Sequence, residues 1–206
     1  MRYELILTFI AAYIIGSIPT SFLMGKIIKG IDIRKYGSGN VGATNALRVL
    51  GTKIGIITLV IDIAKGFFAV QLGKILISDP SNLALILIGL FAISGHIFTI
   101  FLKFKGGKGV ATAAGVFIAL TPVALGIALL VFVITVWISK YVSLGSMLAA
   151  VTLLVIELII NIRNSFEDKE LLIFIFFITV FIIVRHKANI KRIIDGNENR
   201  ISFKKK

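Results

Sequence analysis

The sequence predicts an all-α protein, a polytopic bundle of transmembrane helices, and three observations support this class. Hydrophobic residues make up 57% of the 206 residues and charged residues only 16%. The mean hydropathy of +0.99 leaves too little polar surface to cover a water-soluble globule. Apolar runs of roughly 20 residues, enough to cross a bilayer, recur with basic segments between them. With no repeat of fixed period, residues 1–206 are predicted to form one integral membrane domain.

The charge and the composition exclude several classes of function. A formal net charge of +13 could indicate nucleic-acid binding, but the Lys and Arg residues cluster between apolar runs, as in cytoplasmic loops of membrane proteins. We therefore expect no nucleic-acid partner. The chain has no Cys and only two His, which excludes disulfides, thiol catalysis and a convincing zinc site. Neither a metal nor a cofactor is expected.

Six apolar segments follow one another along the chain. In order they cover residues 5–28, 54–77, 83–102, 110–138, 142–160 and 171–184. The fourth is long for one span and carries Thr121 and Pro122 near its middle, where proline disfavours a continuous helix. Splitting it there gives seven spans, the count that we predict. Five or six spans are the alternatives, since one half of the split segment could be re-entrant.

Seven spans place the basic segments on one side of the membrane, as the positive-inside rule requires. The N-terminus is then outside and the C-terminus cytoplasmic. The cytoplasmic side carries the loop 30–52, the loop 103–108, Lys140 and the tail 185–206. The acidic loop around Glu167 faces outward.

The first cytoplasmic loop carries a glycine-rich motif suited to an anion. Residues 37–45 read Gly-Ser-Gly-Asn-Val-Gly-Ala-Thr-Asn, and Arg48 follows closely. Three Gly within six residues let backbone N–H groups point to one place, and Arg48 offers a guanidinium fork for phosphate. The alternative is a tight polar turn with Thr44 or Asn45 as the helix cap, which the loop alone favours because such turns are common connectors.

The second loop, residues 103–112, reads Lys-Phe-Lys-Gly-Gly-Lys-Gly-Val-Ala-Thr and opens into an apolar helix. Glycine-rich backbone donors and Lys side chains at a helix N-terminus favour a bound phosphate. The loop is not a nucleotide-binding Walker A loop, because Lys108 is followed by Gly109 and the required spacing is absent. The alternative is a basic anchor at the lipid headgroups, which explains three Lys but not three Gly.

The remaining polar candidates lie in the tail and inside the spans. His186 and Asn189 are three residues apart and can share one helix face, either as a proton-accepting site or as part of an interfacial amphipathic segment. His96 lies near the cytoplasmic end of the third span, and we favour a structural role for it. Asp62 and Lys65, three residues apart in the second span, predict an intramembrane ion pair that fixes helix packing.

Together, and in this order, these motifs resemble one family, the bacterial acyl-phosphate:glycerol-3-phosphate acyltransferases (the PlsY family), which start phospholipid synthesis. The resemblance covers nearly the whole chain. It rests on Ser38-Gly39-Asn40-Val41-Gly42-Ala43-Thr44-Asn45 with Arg48, on Gly95-His96 leading to Phe104-Lys105-Gly106-Gly107-Lys108-Gly109-Val110-Ala111-Thr112, and on His186-x-x-Asn189-Ile190-x-Arg192 ending in Gly196-x-Glu198. One departure is Thr99, where the family commonly carries Pro, and it bears on the shape of the loop rather than on the chemistry.

The resemblance implies the activity and its partners. It implies transfer of a fatty acyl group from acyl phosphate to the 1-hydroxyl of sn-glycerol 3-phosphate, giving lysophosphatidic acid and phosphate. It also implies a bacterial cytoplasmic (inner) membrane location with the active site facing the cytoplasm, contact with membrane lipids, and coupling to an enzyme that produces acyl phosphate. A monomer is compatible with all of this.

The resemblance also implies residue roles. It implies catalytic roles for Ser38 and Arg48 in the first motif and for His186 and Asn189 in the tail, and a structural role for Glu198. With the argument from anion binding, the candidates for phosphate binding are Gly39, Asn40, Thr44, Asn45, Lys105, Gly106, Gly107, Lys108 and Gly109.

The chemistry suggests how these residues act. His186 is the candidate general base, oriented by Asn189. Ser38 is a phosphate or carbonyl ligand rather than an acyl-enzyme nucleophile, because no nearby base is evident. Small residues beside the second loop, such as Gly115, could form the acyl groove together with Ala113 and Ala114.

Two rival classes fit less well. Acyltransferases that use acyl-carrier protein or coenzyme A are recognised by a different motif, a His and an Asp separated by four residues. Here Phe101 stands five after His96, and Lys191 five after His186. An anion transporter would place its polar site near the membrane midplane, often within inverted repeats, whereas these motifs lie in loops on one side.

Overall fold

The computed structural model describes residues 2–201, and over this range it consists of α-helices with two short 3-10 helices, Ile33–Lys35 and Ile100–Leu102. This confirms the predicted all-α class. The last five residues of the basic tail lie outside the described range. The α-helices are α1 (Arg2–Ser17), α2 (Thr20–Lys29), α3 (Ala43–Leu50), α4 (Thr52–Leu76), α5 (Asn82–Ile97), α6 (Val110–Leu120), α7 (Pro122–Ser139), α8 (Val142–Arg163), α9 (Lys169–Arg185) and α10 (Lys187–Ile194).

Over the described residues, four segments are long and apolar enough to cross a membrane: α4, Asn82–Leu102, α7 and α8. The pair α1 and α2 is bent by 41° and the pair α9 and α10 by 53°, and counting each pair as one span raises the number to six. The count of seven spans is not confirmed. It stays a prediction, as do the sides on which the termini lie.

The predicted break in the long fourth apolar segment is present. Helix α6 ends at Leu120 and α7 begins with Pro122, whose fixed φ and missing N–H suit the first position of a helix. The 11 residues of α6 extend only about 17 Å, well short of the roughly 30 Å hydrocarbon core. Helix α6 alone is therefore too short for a full span.

The chain divides into two compact units, Met1–Leu120 and Thr121–Lys206. This division leaves the prediction of one domain as a prediction. In the first unit α1 packs against α5, and α4 packs against α3, α5 and α6. In the second unit α8 packs against both α7 and α9.

Helices α4 and α6 touch backbone to backbone in the first unit. A Cβ atom at Gly66 would lie 2.0 Å from the carbonyl oxygen of Thr112, and one at Gly115 would lie 1.9 Å from that of Ile63. Only glycine permits so close an approach. The expectation that Gly115 helps to form an acyl groove is therefore replaced, since its surface is used to pack α6 on α4.

The second unit contains a buried polar cluster between the start of α7 and the C-terminal third of α8. The hydroxyl of Thr121 donates to Glu157 Oε2 at 2.8 Å, and the side-chain amide of Asn161 donates to Glu157 Oε1 at 3.3 Å. These bonds satisfy a carboxyl group that is only 2% exposed, which an apolar environment requires. The cluster therefore fixes the start of α7 against α8.

Candidate active site

Asn45 organises the first glycine-rich loop from within. Its Oδ1 accepts a hydrogen bond from the Ser38 N–H at 2.8 Å, and its Nδ2 donates to the carbonyl groups of Tyr36 at 3.1 Å and Asn40 at 2.9 Å. The side chain is 1% exposed. Because its amide is occupied by the loop backbone, the geometry supports Asn45 as a scaffold of the loop rather than as a phosphate ligand.

The surface of this loop is formed by Ser38 and Gly39, which are exposed. Gly39 has a φ of 71°, a conformation that bulkier residues rarely adopt. The side chain of Asn40 turns inward, and its Oδ1 accepts from the Gly42 N–H at 2.9 Å. The N-cap of α3 is Gly42, not Thr44 or Asn45 as the turn interpretation held.

Thr44 and Arg48 lie four residues apart on α3, so their side chains share one side of that helix. Both side chains are partly buried. Helix α3 begins directly after the glycine-rich residues, and Arg48 lies in its last turn. The shared phosphate-binding role of Ser38 and Arg48 stays a prediction.

The two glycine-rich loops of the first unit share one apolar cluster. Leu102, which directly precedes the second loop, packs in a buried cluster with Ile33, Val41, Ala46 and Leu50 from the first loop and α3. Burial of these side chains removes apolar surface from water and holds both loops on the same support. The structure thus brings together two motifs that lie about 60 residues apart in sequence.

The second loop folds back onto the end of α5. The N–H of Gly106 donates to the Ile97 carbonyl at 2.9 Å, and the N–H of Gly107 donates to the His96 carbonyl at 3.1 Å. These two donors are therefore used within the protein and are not directed at an anion. The remaining candidates are the exposed Lys105 side chain, the partly buried Lys108 side chain, and the backbone from Gly109 into the first turn of α6.

Thr99, the departure from the family pattern, keeps the loop in a shape that proline would also adopt. Its φ of −62° is close to the value that proline fixes. Its hydroxyl donates to the Ser17 carbonyl at the break between α1 and α2, at 2.5 Å. The Thr99 carbonyl accepts from the Phe104 N–H at 2.9 Å, which closes the turn before the second loop.

The predicted ion pair inside the first unit is present. Lys65 Nζ lies 2.8 Å from Asp62 Oδ1, and both side chains are buried. The structural role that we favoured for His96 agrees with its contact to the same Lys65 Nζ, 3.2 Å from His96 Nδ1. The sequence did not indicate Thr20, whose hydroxyl donates to Asp62 Oδ1 at 2.8 Å, because a Thr in an apolar run carries no signal of its partner.

In the second unit, His186 lies at the junction of α9 and α10 and is 3% exposed. Its Nδ1 lies 2.7 Å from the Ile182 carbonyl oxygen. Because a carbonyl only accepts, Nδ1 carries a proton, and in a neutral ring Nε2 then carries the lone pair. This tautomer leaves Nε2 as the nitrogen that can take up a proton.

Glu198 joins three segments of the second unit. Its Oε1 accepts from Asn189 Nδ2 at 2.7 Å and from Ser143 Oγ at 2.8 Å, and its Oε2 accepts from Arg192 Nε at 2.7 Å. Burial alone would raise the pKa of Glu198, but the hydrogen bonds from Asn189, Arg192 and Ser143 outweigh it, so the pKa is lower than usual. The carboxylate thereby fixes α10 to the start of α8.

The contact with Glu198 also determines the position of Asn189. The Asn189 side chain donates to Glu198, so the carboxylate sets its position. That Asn189 orients His186 stays a prediction.

The sequence analysis missed Ser143 as a partner of Glu198. A serine at the start of an apolar segment does not indicate a contact 55 residues away.

Comparison with known proteins gives consistent results along the chain. The sequence model of the family described as "Glycerol-3-phosphate acyltransferase" matches residues 6–196. A protein from Bacillus anthracis called glycerol-3-phosphate acyltransferase 2 is 50% identical, covering 95% of this chain and 98% of its own length. A glycerol-3-phosphate acyltransferase from Chlorobaculum tepidum is 46% identical, covering 97% of this chain and 99% of its own length.

Two solved structures share the fold. Both are crystal structures of PlsY, described as an integral membrane glycerol 3-phosphate acyltransferase. The glycerol 3-phosphate form has a TM-score of 0.85 and 35% identity, with 96% of each chain covered. The lysophosphatidic acid form has a TM-score of 0.82 and 36% identity, with 96% of this chain and 95% of the other covered. With the apolar helices, this similarity shows a multi-pass integral membrane protein.

Proposed function

Since the chain belongs to the glycerol-3-phosphate acyltransferase family, within it the PlsY family, we propose that it acylates glycerol 3-phosphate. The acyl group is taken from acyl phosphate and placed on the 1-hydroxyl of sn-glycerol 3-phosphate, giving lysophosphatidic acid and phosphate. The observation that carries this proposal is the shared apolar cluster beneath two basic, glycine-rich loops. Both substrates carry a phosphate group, and two adjacent loops with Arg48 and Lys108 beside them suit such a pair.

The first unit supplies the contacts to phosphate in this proposal. Arg48 offers a bidentate guanidinium, and Lys108 with the first turn of α6 offers positive charge and backbone donors. Ser38, exposed at the tip of the first loop, is a further ligand to phosphate or to the acyl carbonyl. In this role Asn45 supports Ser38 instead of touching substrate, because its amide is held by the loop.

The reaction needs positioning more than a strong nucleophile. Acyl phosphate is already activated, and its phosphate is a good leaving group once its charge is neutralised. We assign His186 Nε2 the role of base: it accepts the proton of the 1-hydroxyl as that oxygen attacks the acyl carbonyl. The bond between the acyl carbon and the phosphate oxygen breaks, and the proton on His186 then passes to the departing phosphate. The tautomer fixed by the Ile182 carbonyl supports this direction of transfer.

A direct attack is favoured over an acyl-enzyme on Ser38. A nucleophilic serine needs a base within hydrogen-bonding reach, and the side chain that fixes Ser38 is the amide of Asn45, which is not a base. Trapping of an acyl group on Ser38 after mixing with acyl phosphate alone would contradict this step.

We also propose a cellular setting for this activity. The proposed location is the bacterial inner membrane, with seven spans, the N-terminus outside and both loops facing the cytoplasm, where positively charged loops reside. The further proposed partners are membrane lipids and an enzyme that produces acyl phosphate. The proposal needs no nucleic acid and no cofactor, and a monomer suffices.

The deciding experiment uses protein purified in detergent. We expect palmitoyl phosphate and glycerol 3-phosphate together to give lysophosphatidic acid, measured by mass spectrometry, with an equal amount of phosphate. A His186→Ala variant should lose most of this activity, whereas Lys187→Ala, which changes the exposed neighbour, should keep it. Folded protein that makes no lysophosphatidic acid from any acyl phosphate would overturn the proposal.

A further inference from the structure

A chain of buried polar side chains crosses the first unit and ends beneath the second loop. The Thr20 hydroxyl donates to Asp62 Oδ1 at 2.8 Å, and Lys65 Nζ lies 2.8 Å from the same oxygen. Lys65 Nζ also donates to the Ile18 carbonyl at 2.9 Å and lies 3.2 Å from His96 Nδ1. The four side chains are 1–7% exposed. This polar chain links α2, α4 and α5.

The donors in the polar chain define which nitrogen of His96 carries the proton. The Lys65 ammonium has only donors, so His96 Nδ1 is the acceptor. A neutral His96 then has its N–H at Nε2. His96 Nδ1 is 3.9 Å from Asp62 Oδ1, too far for a direct hydrogen bond, and the link between them runs through Lys65.

The other edge of the His96 ring lies against the second loop. A Cβ atom at Gly107 would lie 2.2 Å from His96 Nε2, and the next two nearest atoms, at 3.0 and 3.2 Å, belong to the same ring. The His96 backbone holds the loop as well, since its carbonyl accepts the Gly107 N–H at 3.1 Å. The loop is therefore seated on His96 by both its ring and its backbone.

A buried ion pair is a costly way to pack helices together. Two buried charges lose their hydration, and apolar residues of similar size would stabilise the helices as well or better. The charged Lys65 also orients His96, because its hydrogen bond to Nδ1 fixes the angle of the ring. The ring in turn sets where the backbone of Gly107 lies.

We propose that Asp62, Lys65 and His96 are positioning residues for the substrate-binding loop 103–109, through the contact of His96 with Gly107. This inference rests on the proposed function, since it takes the loop as the site of glycerol 3-phosphate. None of the three residues touches substrate in the proposal. Their effect is to place Lys108 and the first turn of α6 for the phosphate group.

The test is a set of steady-state kinetics on purified variants. We expect His96→Asn to raise the KM for glycerol 3-phosphate about tenfold, which is about 1.4 kcal/mol of binding. The KM for palmitoyl phosphate and the kcat should change less than about twofold, as for loss of substrate binding alone. A Thr58→Val variant is the matched control, because that buried hydroxyl on α4 donates within its own helix, to the Ile54 carbonyl at 2.8 Å.

A double-mutant cycle tests the contact between His96 and Gly107 itself. Gly107→Ala places a methyl group against the ring and should raise the same KM. In the presence of His96→Ala the ring is gone, so the added methyl should have little further effect. Strict additivity of the two changes would contradict a direct link between the ring and the loop.

The outcomes separate this inference from the proposed function. Absence of lysophosphatidic acid from the unsubstituted protein would count against the proposed function and this inference together. Activity of that protein, with the glycerol 3-phosphate KM of His96→Asn within about twofold of normal, would overturn the positioning role alone. If the His96 variants do not fold, Thr20→Val removes one bond to Asp62 with little change of shape. It should raise the same KM about threefold, and an unchanged KM would again overturn the role.

Discussion

The N–H of Ser38 donates to the side-chain Oδ1 of Asn45 at 2.8 Å, so the residue at the tip of the first loop is held by a residue buried beneath it. The same amide donates through its Nδ2 to three carbonyl groups, those of Ile33, Tyr36 and Asn40. The position of Ser38 is therefore set by α3, the helix that also carries Arg48. This relationship makes Asn45 a sensitive place to test the site.

Asn45→Ala should destabilise the protein and reduce acyl transfer. The substitution leaves buried backbone groups without partners, and we expect a loss of about 2–4 kcal/mol of unfolding free energy. Thermal unfolding in detergent and the rate of lysophosphatidic acid formation would measure the two effects. Asn164→Ala, at an exposed loop position, should change neither. A stable and fully active Asn45→Ala variant would contradict the scaffold role.

Glu198 predicts a pH dependence of stability. Its pKa is lower in the folded protein than its ordinary value of 4.5. A depressed pKa gives stability that is present above the ordinary value and is lost as the pH falls through the folded value. Unfolding temperatures of the protein and of Glu198→Gln should therefore differ most near neutral pH and converge in acid.

Asp32 supplies the control for this comparison. A hydrogen bond from Arg34 lowers the pKa of Asp32 to about 2, so Asp32 adds its own loss of stability in acid. Asp32→Asn should leave the difference caused by Glu198→Gln in place. A difference that stays constant across the whole pH range would show that the carboxylate contributes nothing through its charge.

The backbone contact between α4 and α6 predicts that replacing Gly66 destabilises the protein. Gly66→Ala should lower the unfolding free energy by about 1–3 kcal/mol, because its methyl group meets the Thr112 carbonyl and the helices must separate. Gly126→Ala is the matched control, since a Cβ atom there meets nothing within 4 Å. That control should be neutral or slightly stabilising, because alanine favours a helix. Equal effects of the two substitutions would contradict the close contact.

Thr99 predicts a smaller effect that depends on its hydroxyl. Thr99→Val keeps the shape of the side chain but leaves the Ser17 carbonyl without this donor, at a cost of about 1 kcal/mol. Thr99→Ser keeps the hydroxyl and should retain most of the stability. Chemical unfolding of both variants would decide, and a valine variant as stable as the serine variant would show that the bond contributes nothing.

The parts of this protein that the sequence predicted are those set by local chemistry. Hydropathy predicts the helices. Pro122 predicts the end of α6, because proline lacks the N–H that would continue that helix. The glycine-rich loops are recognisable from their composition, because glycine adopts backbone conformations that other residues rarely do. The α-helical class was predicted in this way, whereas the family was predicted from the resemblance of the ordered motifs.

The parts that the sequence could not predict depend on contacts between distant residues. In the sequence, Asn45 is compatible with a ligand, a helix cap or a scaffold of the loop. Only the folded loop shows which backbone groups its side-chain amide bonds. Likewise Gly106 and Gly107 have the composition of an anion-binding loop, but their N–H groups are taken by the last carbonyls of α5. Helix ends need such donors, and the sequence does not reveal which segment will provide them.

The contact of Gly66 and Gly115 with the facing backbone leaves no side chain between α4 and α6 at that point. Elsewhere in a helical bundle, a side chain can switch rotamer and let two helices slide apart slightly. Here there is no torsion to adjust, so the spacing is a fixed length set by atomic radii. The loop that precedes α6 should accordingly keep its place as the surrounding lipid changes in thickness or fluidity. A change in lipid composition would thus leave the position of the proposed phosphate-binding loop unaltered.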